Sequence, residues 1–142
     1  ERFARRIISH RNDLNEFLKI INQTSKTIMG YGASTKGNVV LNYCDIRPNQ
    51  LTKICDQNPE KPGLLTPGSR IPIISKDEMR KLKPDYLLVF IWHFRKEVIE
   101  DEIEYINNGG TLVFNLPRIH FVNKSNYRDY MQASFDDLAY SL

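Results

Sequence analysis

The stretch "TIMGYGASTKGN", Thr27 to Asn38, decides how the rest of the chain is read. A short apolar run enters a turn marked by Gly30, Gly32 and Gly37, passes a polar cluster, and continues as an apolar helical pattern. A strand that gives way to a helix like this exposes the helix's first amides, which have no partner inside the helix and attract anions. Gly30 and Gly32 would let the backbone approach a ligand closely. Ser34 stands where a helix cap is wanted, and Lys36 can add a point charge. The fingerprint is incomplete. A dinucleotide turn of the form GxGxxG needs glycine at position 35, where Thr35 stands, and in a P-loop Gly37 would be followed by lysine, not Asn38. Taken alone, the stretch reads equally well as a tight strand-to-helix turn with no ligand.

Working outward, apolar residues recur at helical spacing through Phe3, Ile7, Leu14, Phe17, Leu18 and Ile21, which predicts an N-terminal helix over 2–22. Strands are predicted at Thr27 to Gly30, Leu51 to Cys55, "IPII" (71–74, with Pro72 marking an edge), "DYLLVFIW" (85–92) and "TLVFNLP" (111–117), the last of the set. The run at 85–92 is apolar almost without interruption, as a central parallel strand buried on both faces should be. Helices are predicted at Thr35 to Tyr43, from Ser75 (capped, with Glu78 three residues on) to the stop at Pro84, over 95–107, and along a tail over 126–142 with Tyr127, Tyr130, Phe135, Leu138 and Tyr140 on one face. Gly109 and Gly110 close the 95–107 helix. The segment Asn58 to Arg70, with Pro59, Pro62, Pro67, Gly63 and Gly68, must be a loop. Strands alternating with helices imply right-handed crossovers and a mainly parallel sheet, so the expected architecture is a Rossmann-like three-layer α/β/α sandwich forming one domain. Its α/β core should span 27–117.

Composition narrows the function. The net charge is +3 with basic and acidic residues interleaved, so no nucleic-acid face is expected. No apolar run approaches the ~18–20 residues of a membrane helix, so no membrane partner is expected. Cys44 and Cys55 match no metal or CxxC spacing and read as buried thiols of a cytoplasmic protein, with no metal site. The chain opens on Glu1, as expected of a fragment of a longer enzyme or of a processed one.

In such folds ligands sit at the carboxyl ends of the strands. Three segments should converge there: Gly30 to Asn38, Asp56 to Lys61, and Trp92 to Arg95. Asp56 lies 24 residues after Gly32, near the place of a ribose-binding acid, though it reads as well as a cap for the proline-rich loop. His93 reads as an acid, base or sugar hydrogen-bonding group, or as a packed strand-end residue. Trp92 either stacks on a ring or fills a seam. Lys61 and Arg70 are solvated unless a phosphate reaches them. His10 and His120 read as surface or packing residues.

The ordered set "GYGASTKGN", "DQNPEKPGLLTPGSRIPI", "KPDYLLVFIWHFRKE" and "GGTLVFNLP" resembles the C-terminal domain of SAM-dependent C-methyltransferases acting on nucleotide-linked sugars, as in branched deoxysugar biosynthesis. The likeness spans 1–117 and leaves the tail uncovered. It implies an upstream zinc domain and an upstream S-adenosylmethionine-binding domain that carries the main general base. This domain would bind the sugar nucleotide and close over it, and would be inactive alone. It implies ligand proximity for Gly32, Ala33, Ser34 and Lys36, and a ligand-covering or docking loop holding Asn58, Lys61, Thr66 and Arg70. The rival expectations are a non-catalytic NAD- or coenzyme-A-type module and a scaffold domain with a vestigial site.

Overall fold

The computed structural model describes residues 2–132. Helix α1 (Arg2–Asn22) leads into β1 (Ile28–Tyr31), α2 (Thr35–Tyr43), β2 (Ile54–Asp56), β3 (Ile73–Ser75), α3 (Lys76–Leu82) and β4 (Tyr86–Val89). A 3-10 turn (Trp92–Phe94), α4 (Arg95–Asp101), α5 (Ile103–Asn107), β5 (Thr111–Phe114), β6 (His120–Val122) and α6 (Tyr127–Gln132) follow. The six strands are ordered β3-β2-β1-β4-β5-β6, all parallel except β6 against β5. The order reverses between β1 and β4, which makes their carboxyl ends the switch point of the sheet.

Side chains alternate faces along each strand, and the two faces carry two cores. Ile28, Ile54, Leu88, Phe90 and Val113 pack under α1 and α2 with Leu14, Leu18, Ile21 and Leu41. Met29, Tyr31, Leu87, Val89, Leu112 and Phe114 pack against Met79, Val98, Ile99 and Ile106 of α3, α4 and α5. This is the expected three-layer sandwich. Leu14, Leu18 and Ile21 belong to the predicted α1 stripe, and Phe17 meets Tyr86 and Phe121 edge-on. The side chains of Phe3 and Ile7 lie outside the described ones. Cys44 and Cys55 are buried, and burial pushes their thiols up to about 11 and about 12. Among the described residues no helix is long and apolar enough to cross a membrane.

Four expectations need correction. Gly30 lies inside β1, not in the turn; its amide is spent on the Lys53 carbonyl, and a Cβ there would come within 2.9 Å of Ile54. The buried strand at 85–92 leaves its ladder after Val89, so Trp92 starts a 3-10 turn. The helix over 95–107 is distorted at Glu102 (φ −108°), although the i to i−4 bonds of Glu102 and Ile106 persist. At this point Glu102, 1% exposed, points inward and accepts from the Tyr31 hydroxyl (2.8 Å) and from Arg80 (2.7 and 3.1 Å). Desolvation, then that carboxylate, pushes the Tyr31 phenol far up, so it stays protonated and donates. Finally, "TLVFNLP" is not the last strand. The chain turns through the cis Leu116–Pro117 bond and returns as β6, too short to show an alternating pattern. The remainder of the predicted tail helix, with Phe135, Leu138 and Tyr140, lies outside the described residues.

His120 resolves as a packing residue. It is 5% exposed, stacked between Phe114 (5.2 Å) and Tyr130 (5.1 Å), with Nδ1 against the Arg118 carbonyl. Burial, reinforced by Arg95 and Arg118, lowers its pKa from 6.5 to about 4. The unfolded chain therefore takes up this proton first as pH falls, and stability drains away between about pH 6.5 and pH 4. We expect the stability of the wild type relative to His120→Phe, which keeps the stack, to fall by on the order of 3 kcal/mol between pH 7 and pH 4. Urea unfolding across that range checks it; a difference that does not vary with pH would refute the assignment.

Candidate functional site

The site is built where the chain leaves β1. Gly32 adopts φ +95°, and a Cβ there would lie 2.8 Å from Ile91 Cγ2 on the neighbouring strand's exit. Only glycine is comfortable in that conformation and that space. Gly37, in the first turn of α2, is pressed as closely: its Cβ would meet Phe90 Cβ at 2.9 Å and the Gly32 carbonyl at 3.0 Å. Ser34 is the N-cap, extended at φ −93°, ψ 170°, with Oγ accepting from the Gly37 amide at 3.1 Å. The Gly32 amide is spent on the Cys55 carbonyl (2.8 Å) and the Asn38 amide on the Ser34 carbonyl (2.9 Å). Among the described hydrogen bonds, the amides of Ala33, Ser34, Thr35 and Lys36 have no partner. They form the anion-seeking end of α2.

Two walls flank this turn. Over β2 lies the proline-rich loop. Asp56 Oδ1 accepts from the Asn58 amide (2.9 Å) and Asn58 Oδ1 from the Glu60 amide (3.0 Å), consecutive turns closed by side chains. So Asp56 does cap the loop. Lys61 is not left to solvent: its Nζ donates to the Ala33 carbonyl at 2.7 Å and stands 3.8 Å from Asp56 Oδ2, pinning the loop to the glycine turn. Thr66 is buried and accepts from the Ile71 amide, so its hydroxyl serves the loop; Arg70 is exposed at φ +59°.

Over β4 lie Trp92 and His93. The Lys36 ammonium crosses from α2 to stand 5.5 Å from the Trp92 ring. His93 is exposed, with its ring 4.3 Å from Phe94 and 5.3 Å from Trp92. Desolvation, then the Lys36 charge, holds its pKa below the usual histidine value, which keeps the imidazole neutral at pH 7. A groove of about 260 Å³ runs beside it, between Trp92, His93, Lys96 and Tyr130. The structure therefore brings Gly32, Ala33, Ser34, Lys36, Asp56, Asn58, Lys61, Trp92 and His93 to one edge, and leaves Gly30 in the strand below. Sequence reading missed Asn115. It follows β5, is fully buried, and neither of its carboxamide atoms has a partner among the described residues. Its carbonyl meets His10 of α1.

The largest cleft lies elsewhere. It holds about 810 Å³ at the amino ends of β4 and β5, lined by Arg80, Lys83, Asp85, Asp101, Tyr105 and Asn108. Arg80 there is engaged by Glu102, and Asp85 accepts from the Thr27 amide and hydroxyl. Its charges are spent on holding elements together, and it sits at the wrong end of the strands for a ligand in an open α/β sheet. Size alone does not make it the site.

The C-methyltransferase C-terminal domain family matches residues 1–117. The chain belongs to this family. C-methyltransferase NovU of Streptomyces niveus is 35% identical over 107 residues, which cover 75% of this chain and 26% of NovU. The chain thus matches about a quarter of that relative's length. Among solved structures, UDP-D-quinovosamine 4-dehydrogenase from Vibrio fischeri is similar with a TM-score of 0.47 and 17% identity, over 82% of this chain and 99% of that one. The family assignment does not depend on that likeness. Among the described residues, no group of three metal-ligating side chains is gathered.

Two outcomes follow from this geometry. Gly32→Ala should lose about 1–3 kcal/mol, from the forced left-handed backbone and the contact with Ile91, measured by chemical denaturation. Lys61→Met should release the loop, so that thermolysin cuts at the exposed Leu64 and Leu65 several-fold faster; an unchanged rate would mean the tie to Ala33 does not hold the loop down.

Proposed function

We propose that this chain is the nucleotide-sugar-binding and closing domain of an S-adenosylmethionine-dependent sugar C-methyltransferase. One observation carries the reading: four consecutive unpartnered amides, Ala33 to Lys36, beside the Lys36 ammonium at the switch point of the sheet. That donor set suits a diphosphate. The family and the NovU relative supply the methyl-transfer context.

S-adenosylmethionine does not fit this crevice. Amides, Lys36 and Lys61 make it electropositive, and a sulfonium would be repelled. The methyl donor, and the domain that binds it, therefore belong to the rest of a longer enzyme, and this domain alone would not methylate. Its own residues have three tasks. The α2 amides and Lys36 fix the diphosphate, so the sugar is presented in one position. Trp92 and the proline-rich loop exclude water from the sugar. His93, neutral at pH 7, is our candidate for proton exchange or hydrogen bonding at the sugar carbonyl, where the charge of an enolate has to be accommodated. A cytoplasmic setting fits a nucleotide-sugar substrate.

A second reading, a scaffold with a vestigial site, is favoured by Lys61 filling the Ala33 carbonyl and by the Gly32 amide being spent in the sheet. Calorimetric titration with thymidine-diphosphate glucose separates the two. We expect saturable binding that weakens about tenfold in Lys36→Ala, the loss of one charge-assisted bond. No binding to this chain, together with undiminished methylation by a full-length enzyme carrying Lys36→Ala, would favour the scaffold.

A further inference from the structure

We propose that the activated sugar lies across the crevice in one direction only: hexose over the Trp92 indole beside His93, diphosphate on the α2 amides, and nucleoside ribose toward Asp56. This rests on the diphosphate reading above and adds to it which end of the ligand meets which wall.

The direction follows from the sheet order. β1 stands between β2 and β4, so a diphosphate on the turn after β1 sends one substituent over each neighbour. The β4 wall offers an indole face and a neutral imidazole. A pyranose covers such a face with its C–H groups and leaves its oxygens to polar neighbours, and the carbonyl chemistry of a sugar needs a proton-accepting group within reach. The β2 wall offers no aromatic side chain between Gln57 and Leu65. It does offer Asp56, at the end of the second strand, where a carboxylate meets a ribose diol in dinucleotide-binding sheets. The loop holds that carboxylate in place through the Asn58 amide and Lys61. The reverse orientation would set the hexose against Asp56 and Lys61, with no imidazole beside it.

Lys36 couples the two events. Its ammonium stands over the indole, yet its backbone is part of the turn that carries the free amides. A phosphate on those amides draws the ammonium off Trp92, and the hexose finds the platform uncovered. A second feature, independent of the helix end, marks the same edge as unfinished. The pairing of Val89 with Phe114 sets Asn115 beside Phe90, on the face where Phe90 abuts Gly37 of α2, and this buried carboxamide has no partner.

Trp92 is the only tryptophan of the chain, so its emission reports on one wall alone. The 142-residue chain is titrated with inorganic pyrophosphate, thymidine diphosphate and thymidine-diphosphate glucose, with binding followed by calorimetry and emission by fluorescence. We expect pyrophosphate and thymidine diphosphate to give the same small emission change, from Lys36 leaving the ring, and the glucose conjugate a further quench. Trp92→Ala should weaken the glucose conjugate about tenfold and leave thymidine diphosphate unchanged. Asp56→Asn, which keeps the loop turn, should weaken both nucleotides about equally and spare pyrophosphate. If thymidine diphosphate alone gives the full quench, or Trp92→Ala weakens it, the orientation is wrong while the diphosphate site stands. If not even pyrophosphate binds, the site itself is wrong and the orientation falls with it.

Discussion

The chain must leave β1 at Gly32 in a backbone conformation that only glycine takes easily, against a side chain, Ile91, that leaves no room for a Cβ. Everything at the carboxyl edge depends on that exit. It sets the start of α2 over the switch point, lets Gly37 settle against Phe90, and turns four amides toward the crevice instead of into the sheet. Tyr31, one residue earlier, is fastened from the other face by Glu102 and, through it, by Arg80. The strand end is thus gripped on both sides. A buried carboxylate on an otherwise apolar helix face is tolerable because its oxygens accept three bonds from two partners.

The two walls differ in kind. The β2 wall is made of backbone turns closed by side chains, with one lysine reaching across to the glycine turn. The β4 wall is made of rings. A site with a polar wall, a cationic floor and an aromatic wall can tell the two ends of an unsymmetrical ligand apart without any large movement of the sheet. The opposite end of the molecule, with its larger cleft, has spent its charges on joining α3 to the α4–α5 distortion and β1 to β4.

Much of this was legible in the sequence. The uninterrupted apolar run at 85–92 announced a central strand, the Ser75 cap announced α3, and the glycines announced the turn. What escaped has a common cause. Glu102 sits on a buried helical face, and periodicity cannot show that a charge there finds Tyr31 and Arg80. Lys61 looks solvated in sequence because its acceptor, the Ala33 carbonyl, lies 28 residues away on another element. Gly30 looks like a turn residue, whereas its missing side chain makes room for Ile54. β6 is three residues long and carries no pattern of its own. Local composition encodes what a residue prefers, and these four were decided by what stands opposite.

The sheet ends in β3 on one side and β6 on the other, each three residues long, with Pro72 just before β3 and β6 running against its neighbour. So little exposed main chain cannot template another strand. Copies of this domain are therefore poorly equipped to continue one another's sheets, and any lasting association must be made by helix surfaces or by the crevice. An adhesive rim would be a hazard in a part whose task is to open and shut against its neighbours.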